Sequence, residues 1–141
     1  MHRLLLGAAL ALAATPALAA DPVEGDWLVQ GGSAKVRIAP CAGKPDRLCG
    51  AFTWLKSEKP GQVARDTENP DPKLRSRALV GSNFIRDFRR VEPGRWTGGK
   101  IYSPDEGKTY DSKMRINPDG TLKLEGCVLV ICQKQTWRRP G

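Results

Sequence analysis

The chain contains a single histidine, His2, and this residue lies in a segment with the pattern of a secretory signal peptide. The segment begins with a basic residue, continues with an apolar run over residues 4–12, and ends in a small-residue cleavage site at residues 17–19. We therefore expect residues 1–19 to be removed and residues 20–141 to form a single exported domain that has no imidazole group. Catalytic sites of the Ser-His-Asp and Cys-His kinds are then excluded.

Several other signatures of function are missing from the sequence. The chain has no Gly-rich nucleotide loop, no Ser-x-x-Lys motif, no Cys-x-x-Cys spacing and no helix-turn-helix pattern. Beyond the signal peptide, no apolar run approaches the roughly 20 residues that a transmembrane helix needs. We expect a protein that is not an enzyme, has no cofactor, metal or transmembrane segment, does not bind nucleic acid, and lies in the periplasm or outside the cell.

Four cysteines are present, and an exported protein can oxidise them to disulfides. Three pairings are open, but short loops are the easiest to close, which favours Cys41 with Cys49 and Cys127 with Cys132. Five residues of strand would separate Cys127 from Cys132 by about 17 Å, whereas a disulfide needs Cα atoms within about 7 Å. These two cysteines must therefore flank a turn.

That turn would carry four apolar residues, 128–131, where polar residues are usual. An exposed apolar tip can enter a membrane, cover a barrel mouth or bind a partner. The alternative is that the tip folds back onto the protein.

The charge of the chain is strongly positive, with 23 Lys and Arg against 15 Asp and Glu and a net charge of +8. A basic exported protein can bind an anionic component of the cell envelope. The simpler interpretation is that the cations are the solvated faces of the strands.

Residues 25–141 have the pattern of short strands separated by turn residues, which is typical of an all-β antiparallel barrel or sandwich. We predict eight strands, over residues 26–30, 35–39, 48–56, 83–91, 95–103, 108–116, 121–127 and 131–138. The strand at 83–91 is ambiguous, because Phe84, Phe88 and Val91 also fit helical spacing. Gly98-Gly99 predicts a bulge within its strand.

Alternation in strand 108–116 predicts an interior face through Tyr110 and Met114. An eight-stranded barrel is just wide enough to be filled by side chains or to hold one small ligand, and both alternatives stay open here. A ligand among aromatic, Met and amide side chains would be hydrophobic or amphiphilic. The predicted ligand-binding residues are Phe52, Trp54, Asp66, Asn69, Tyr102, Tyr110, Met114, Gln133 and Gln135.

A long loop over residues 57–79 interrupts the strands and would lie at the barrel rim. Asp71-Pro72 predicts one helical turn within it. Asp66, Glu68 and Asp71 could in principle bind Ca²⁺ or act as an acid/base pair, but the spacing lacks the calcium-loop glycine and nothing places two carboxylates in one cleft. A strap held to the barrel by ion pairs explains the loop more simply.

Gly25-x-Trp27 at the start of the strands and Trp137-Arg138 at their end are expected to close the barrel. Because the first and last strands of a barrel pair, Arg138 would cover the indole of Trp27 in a cation-π contact. This combination resembles the lipocalin signature.

Several motifs together resemble an exported bacterial family, the domain of unknown function 2147. They include Leu48-Cys49-Gly50, Asn69-Pro70-Asp71, Trp96-x-x-Gly99-x-Ile101-Tyr102 and Gly126-Cys127. The resemblance covers nearly all of residues 20–141. It implies a lipocalin-like (calycin) β-barrel in the periplasm or outside the cell with small-molecule binding, in agreement with the eight predicted strands, and it supplies no catalytic residues. An envelope-associated structural or stress-related module without an internal ligand is the alternative.

Overall fold

The computed structural model describes residues 7–10 and 20–141, and in this part of the chain eight strands form one antiparallel sheet in sequence order. The strands are β1 (Gly25–Leu28), β2 (Ala34–Cys41), β3 (Lys44–Leu55), β4 (Asn83–Glu92), β5 (Arg95–Ser103), β6 (Lys108–Ile116), β7 (Leu122–Val128) and β8 (Ile131–Trp137). Most of the predicted signal peptide, residues 1–6 and 11–19, lies outside the described residues.

The sheet curls until its first and last strands meet. Leu28 and Arg138 form a bridge with two backbone hydrogen bonds, the amide of Leu28 donating at 2.7 Å and the amide of Arg138 at 3.1 Å. Short turns account for the antiparallel order of all neighbouring strands except β3 and β4, which the long connection joins. The all-β, eight-stranded prediction is confirmed.

β3 begins four residues earlier than the sequence pattern indicated. β3 starts at Lys44 instead of residue 48, because Gly43 adopts a positive φ of 72° and allows a two-residue turn, so that Cys41 pairs directly with Lys44. The ambiguous segment at 83–91 is a strand, β4. Its near-helical spacing arises because Asp87, with φ 59°, interrupts the alternation between buried Ile85 and buried Phe88.

The predicted bulge at Gly98-Gly99 is present as a register shift between Trp96 and Gly99. A Cβ atom on Gly99 would lie 2.2 Å from the Phe88 ring, so only glycine lets this ring pack against β5.

The two ends of the curled sheet differ in packing, and we name them by the strands that close them. The closed end is where β1 begins and β8 ends; the open end is where β1 ends and β8 begins. Large side chains fill the closed end, and all of them are buried: Trp27, Ile38, Leu48, Phe88, Trp96, Met114, Leu122 and Trp137.

The N-terminal turn seals the closed end. Val23 is fully buried and its carbonyl accepts a hydrogen bond from the Trp27 indole at 2.8 Å. The Asp21 carboxylate accepts from the amide of Gly94, which ties this turn to the β4–β5 hairpin.

The arginine that covers Trp27 is Arg139, and the prediction for Arg138 is wrong. The Arg139 guanidinium lies 3.7 Å from the centre of the Trp27 ring and donates to the carbonyls of Pro22, Glu24 and Asp26. The reason is strand alternation: Trp137 points inward, so the residue on the same face is two positions on, at 139. Arg138 contributes its backbone to the bridge with Leu28 instead.

Both disulfides join the local pairs that loop length favours. Cys41–Cys49 lies at the closed end and Cys127–Cys132 at the open end, each joining two neighbouring antiparallel strands. On the chain-entropy model, each stabilises the fold by roughly 2–3 kcal/mol.

The long connection between β3 and β4, residues 56–82, begins and ends at the open end. Val80 bridges to Phe52 and Arg65 bridges to Ala78, so the connection folds back on itself and returns to the sheet. The predicted helical turn is a 3-10 helix (Pro72–Leu74) capped by the Asp71 carboxylate, which accepts from the Lys73 amide.

Candidate binding site at the open end

The inner face of the sheet is uncovered along the first half of β8. Gln133 and Gln135 lie opposite Gly126 and Leu124 in register, so all four belong to the face that forms the core. Leu124 is 4% exposed, yet both glutamines are exposed. The core face therefore continues beyond the packed interior as an open surface.

Tyr110 lies on this same face, on β6. Tyr110 shares this face with buried Ser112 and Met114, which follow at every second position. A Cβ atom placed on Gly126 would lie 3.5 Å from the Cβ atom of Tyr110. The ring is half-buried and its hydroxyl donates to the Glu106 carboxylate, which raises the tyrosine pKa above its ordinary value. An aromatic ring with a polar outer edge suits an amphiphile.

Met114 and Phe52 lie deeper. Both are buried, and Phe52 stacks on Phe84 with ring centres 3.7 Å apart. Met114 pairs with Trp96 in the packed closed end, and Phe52 bridges to Val80 of the long connection, so neither side chain is exposed at the open end.

Trp54 does not face the interior as expected. One extra residue in β3, Thr53, shifts the pairing between Lys35 and Val36, so that Trp54 pairs with exposed Lys35 on the outer face. Its ring is 41% exposed and the Lys35 ammonium lies 5.3 Å from its centre. A bulge reverses the faces of all residues beyond it.

Asp66 and Asn69 are brought together with Tyr102 and Arg77 in what we call the loop cluster. The fully buried Asp66 carboxylate accepts from the Tyr102 hydroxyl at 2.6 Å, from the Asn69 amide at 2.8 Å and from Arg77 at 2.9 Å. Burial alone would raise the pKa of Asp66, but these three donors outweigh it and hold the pKa below its ordinary value. Burial, together with Asp66, raises the pKa of Tyr102 to about 12.

The loop cluster anchors the long connection to the sheet. Tyr102 pairs with exposed Thr109, so it stands on the outer face and not with Tyr110 on the inner face. The Arg77 guanidinium lies 5.7 Å from the centre of the Tyr102 ring. Each polar group of Asp66 has a partner inside the protein, as a structural anchor requires.

A pocket of about 370 Å³ lies on the wall of the sheet, and the sequence reasoning missed it. Its lining residues are Val91, Arg95, Trp96, Thr97, Lys113, Met114, Arg115, Lys123 and Glu125. Of the predicted ligand-binding residues, Met114 alone belongs to it. The available signal was register: Arg95 pairs with Arg115 and Arg115 with Lys123, which places three cations side by side.

We call Arg95, Arg115 and Lys123 the cation row. Nearby, the buried Glu125 carboxylate holds Lys123 at 2.9 Å and Lys113 at 3.3 Å. The hydrogen bond from Lys123 is the largest cause that lowers the pKa of Glu125. Like charges directly opposite in a sheet destabilise it by roughly 0.2–1 kcal/mol per pair.

Residues 25–139 match the family model described as "Uncharacterized protein conserved in bacteria (DUF2147)". The chain belongs to the DUF2147 family. No curated protein matches it. Among solved structures it is similar to protein HP1028 from the human pathogen Helicobacter pylori, described as belonging to the lipocalin family, with a TM-score of 0.73 and 23% identity over 84% of this chain and 83% of that one. This likeness establishes a lipocalin-like fold for the DUF2147 chain.

Within the described residues, no helix is long and apolar enough to cross a membrane. Two groups of potential metal ligands are close in space, Cys41, Cys49 and Asp87, and Glu125, Cys127 and Cys132. In both, the cysteines are joined in disulfides and therefore do not offer the thiolates that bind zinc.

Proposed function

We propose that this protein is a non-enzymatic binding protein for a small hydrophobic or amphiphilic molecule, held at the open end of the barrel. The observation that carries the proposal is the inner face of β8, where Gln133 and Gln135 continue the core face but are exposed. A face that is apolar at depth and polar at its edge matches a molecule with an alkyl part and a polar head.

The arrangement assigns parts of that molecule to parts of the site. The apolar portion would lie over Leu124 and Gly126, beside the ring of Tyr110. The polar head would meet the amides of Gln133 and Gln135 and the Glu106–Tyr110 pair. The Gln135 amide oxygen accepts from the Trp137 indole at 2.8 Å, which leaves its NH2 group to donate. Exposed amides recognise hydroxyl, amide or carboxyl groups without requiring a charge.

We further propose that the protein works in the periplasm or outside the cell. Two disulfides and a lipocalin-like fold fit an oxidising compartment. The sequence pattern of residues 1–19 supports export.

Dodecanoate is a suitable first probe, measured by native mass spectrometry and by its effect on the unfolding temperature. We expect Tyr110→Ala and the double variant Gln133→Ala/Gln135→Ala to weaken probe binding about tenfold, and Thr109→Ala to leave it unchanged. Thr109 is the matched control because it neighbours Tyr110 on β6 but is exposed on the outer face. Equal probe binding by all four proteins, or no binding to the wild type, would contradict the proposal.

The cation row favours a second candidate function, the binding of an anionic polymer of the cell envelope at the wall of the sheet. No salt bridge to Arg115 occurs in residues 20–141 or 7–10, so its charge is free to meet an external anion. An anion bound beside neighbouring cations reduces their mutual repulsion and thereby stabilises the folded protein.

Binding of a soluble polyanion such as heparin, measured against salt concentration, tests this second function. Arg115→Gln should reduce binding, whereas Arg37→Gln removes the same charge from an arginine that is paired with Asp26 on β1 and should reduce it less. Equal losses in the two variants would show that net charge alone is responsible.

A further inference from the structure

The exposed apolar side chains of the barrel are concentrated at one end. Within residues 20–141 the large exposed apolar side chains are Trp54, Val63, Leu74, Val91, Val128, Leu129, Val130 and Ile131. All but Val91 belong to the end of β3, the long connection or the β7–β8 hairpin, and therefore lie at the open end. A soluble domain seldom gathers so much exposed apolar surface in one region without using it.

The β7–β8 hairpin contributes most of this surface. Leu129, Val130 and Ile131 are 93%, 94% and 74% exposed, and Val128 is 52% exposed. We call residues 128–131 the aliphatic tip. Neither of the two alternatives in which the tip is covered, by folding back or by closing the barrel mouth, agrees with these exposures.

The hairpin is built to hold its tip in this position. Val128 pairs with Ile131, and the Cys127–Cys132 disulfide joins the next pair of residues below the tip. Leu129 has a φ of 54°, in the left-handed region where a two-residue hairpin turn usually places glycine. A leucine there is conformationally unfavourable, and the turn nevertheless presents it to solvent.

We propose that the aliphatic tip inserts into the surface of an anionic lipid bilayer and docks the open end of the barrel on it. The tip has no polar side chain, so it offers no hydrogen-bonding pattern for a specific protein partner, whereas a bilayer requires only apolar surface. Its exposed side chains are short aliphatic ones, which suit the boundary between headgroups and acyl chains.

The chemistry of the surrounding open end agrees with an anionic bilayer. The Lys35 ammonium lies 5.3 Å from the ring centre of exposed Trp54. Indoles with nearby cations are typical of the membrane interface. Lys56, Lys59, Lys73 and Arg75 of the long connection are exposed at the same end. With a chain charge of +8, the protein is attracted to anionic headgroups before the tip enters.

This inference goes beyond the proposed ligand and does not depend on it. The two are related in geometry only, because docking would direct the open end of the barrel toward the lipids. Each has its own variants, so one can fail while the other holds.

The test is sedimentation of the protein, purified from a bacterial periplasm, with vesicles of phosphatidylglycerol and phosphatidylcholine. The key variant is Leu129→Gly/Val130→Ser, which makes the tip polar and places glycine at the position of positive φ, so that the hairpin keeps its fold. We expect the wild type to bind and this variant to bind at least tenfold more weakly. The matched control is Ala42→Ser, which removes an exposed apolar side chain from the two-residue β2–β3 turn at the closed end. It should bind within twofold of the wild type.

High salt distinguishes the contribution of the apolar tip to vesicle binding from the contribution of the positive charge. In 0.5 M salt (roughly a 4 Å screening length) the wild type should keep more of its binding than the tip variant does. Tyr110→Ala should still bind vesicles although it binds dodecanoate about tenfold more weakly. No sedimentation of the wild type, or equal sedimentation of the wild type and the tip variant, would overturn the proposal.

Discussion

The closed and open ends of one barrel contain the same strands but differ in what covers the inner face. At the closed end, Trp27, Trp96 and Trp137 are buried, and the N-terminal turn and the Arg139 guanidinium cover Trp27. At the open end, the same face of β8 carries exposed glutamines, and the adjoining hairpin exposes four aliphatic residues. The comparison shows that one end of the sheet is packed and the other exposed, and our proposal places interaction at the exposed end.

Two tryptophans give the largest expected contrast. Trp27→Ala should lower the free energy of unfolding by about 3–5 kcal/mol, because a large buried side chain leaves a cavity. Trp54→Ala should lower it by less than about 1 kcal/mol, since that ring is on the outer face and contacts Lys35 in an exposed cation-π pair. Urea denaturation of both variants measures this, and losses of similar size would remove the distinction between the ends.

The open end also contains one buried anchor, and this sharpens the comparison. Asp66→Asn should cost about 2–3 kcal/mol, because it weakens hydrogen bonds to a charged group in the loop cluster. The same change at exposed Asp71 should be nearly neutral, since Asn caps helices as well as Asp does. Unfolding curves of the two variants provide the comparison, and equal effects would mean that the loop cluster does not anchor the connection.

Acid provides a second readout of that anchor. The folded pKa of Asp66 lies below its ordinary value of 3.8, so its contribution is complete above that pH and is lost as pH falls through the folded pKa. Wild-type stability should therefore decline below pH 3.8 more steeply than that of Asp66→Asn. Parallel declines in thermal unfolding experiments would contradict this assignment.

Two neighbouring arginines test the closure of the barrel. Arg139→Gln should destabilise the fold by about 1–2 kcal/mol through loss of the cation-π contact and the carbonyl hydrogen bonds. Arg138→Gln should change it by less than about 0.5 kcal/mol, because its role in the bridge is through the backbone. Thermal unfolding of the pair decides between them, and a larger effect at Arg138 would restore the original expectation.

The smallest effect is expected at the aliphatic tip. Leu129→Gly/Val130→Ser should change the free energy of unfolding by less than about 1 kcal/mol, because the replaced side chains are exposed and glycine suits the positive φ. A denaturant titration checks this directly. A loss of several kcal/mol would show that the tip supports the fold.

Strand positions and the closed-end core were predictable, because the alternation of apolar and polar residues along a strand can be seen in a short stretch of sequence. The Met114 side of β6 and the local disulfides follow from a few neighbouring residues. The face of Trp54 was not predictable, since one inserted residue at Thr53 reverses it. The contact of Arg139 with Trp27 could have been predicted from the sequence, because residues two apart share a face of a strand and Arg139 follows Trp137 by two.

The loop cluster lay beyond such reasoning. The partners of Asp66 are 3, 11 and 36 residues away in the sequence and meet only when the long connection packs on β5. The wall pocket needed the register of three strands. Exposure of Gln133 and Gln135 depended on how far the sheet curls, which alternation alone does not determine.

Hydrogen exchange by mass spectrometry, with and without dodecanoate, tests the division between the two ends most directly. Amides of β1 and of the second half of β6 should exchange slowly and be unaffected by the probe. Amides of β8 and the first half of β6 should exchange faster and become protected when the probe binds. Uniform protection of both ends without the probe, or protection confined to the closed end with it, would contradict a packed end and a binding end.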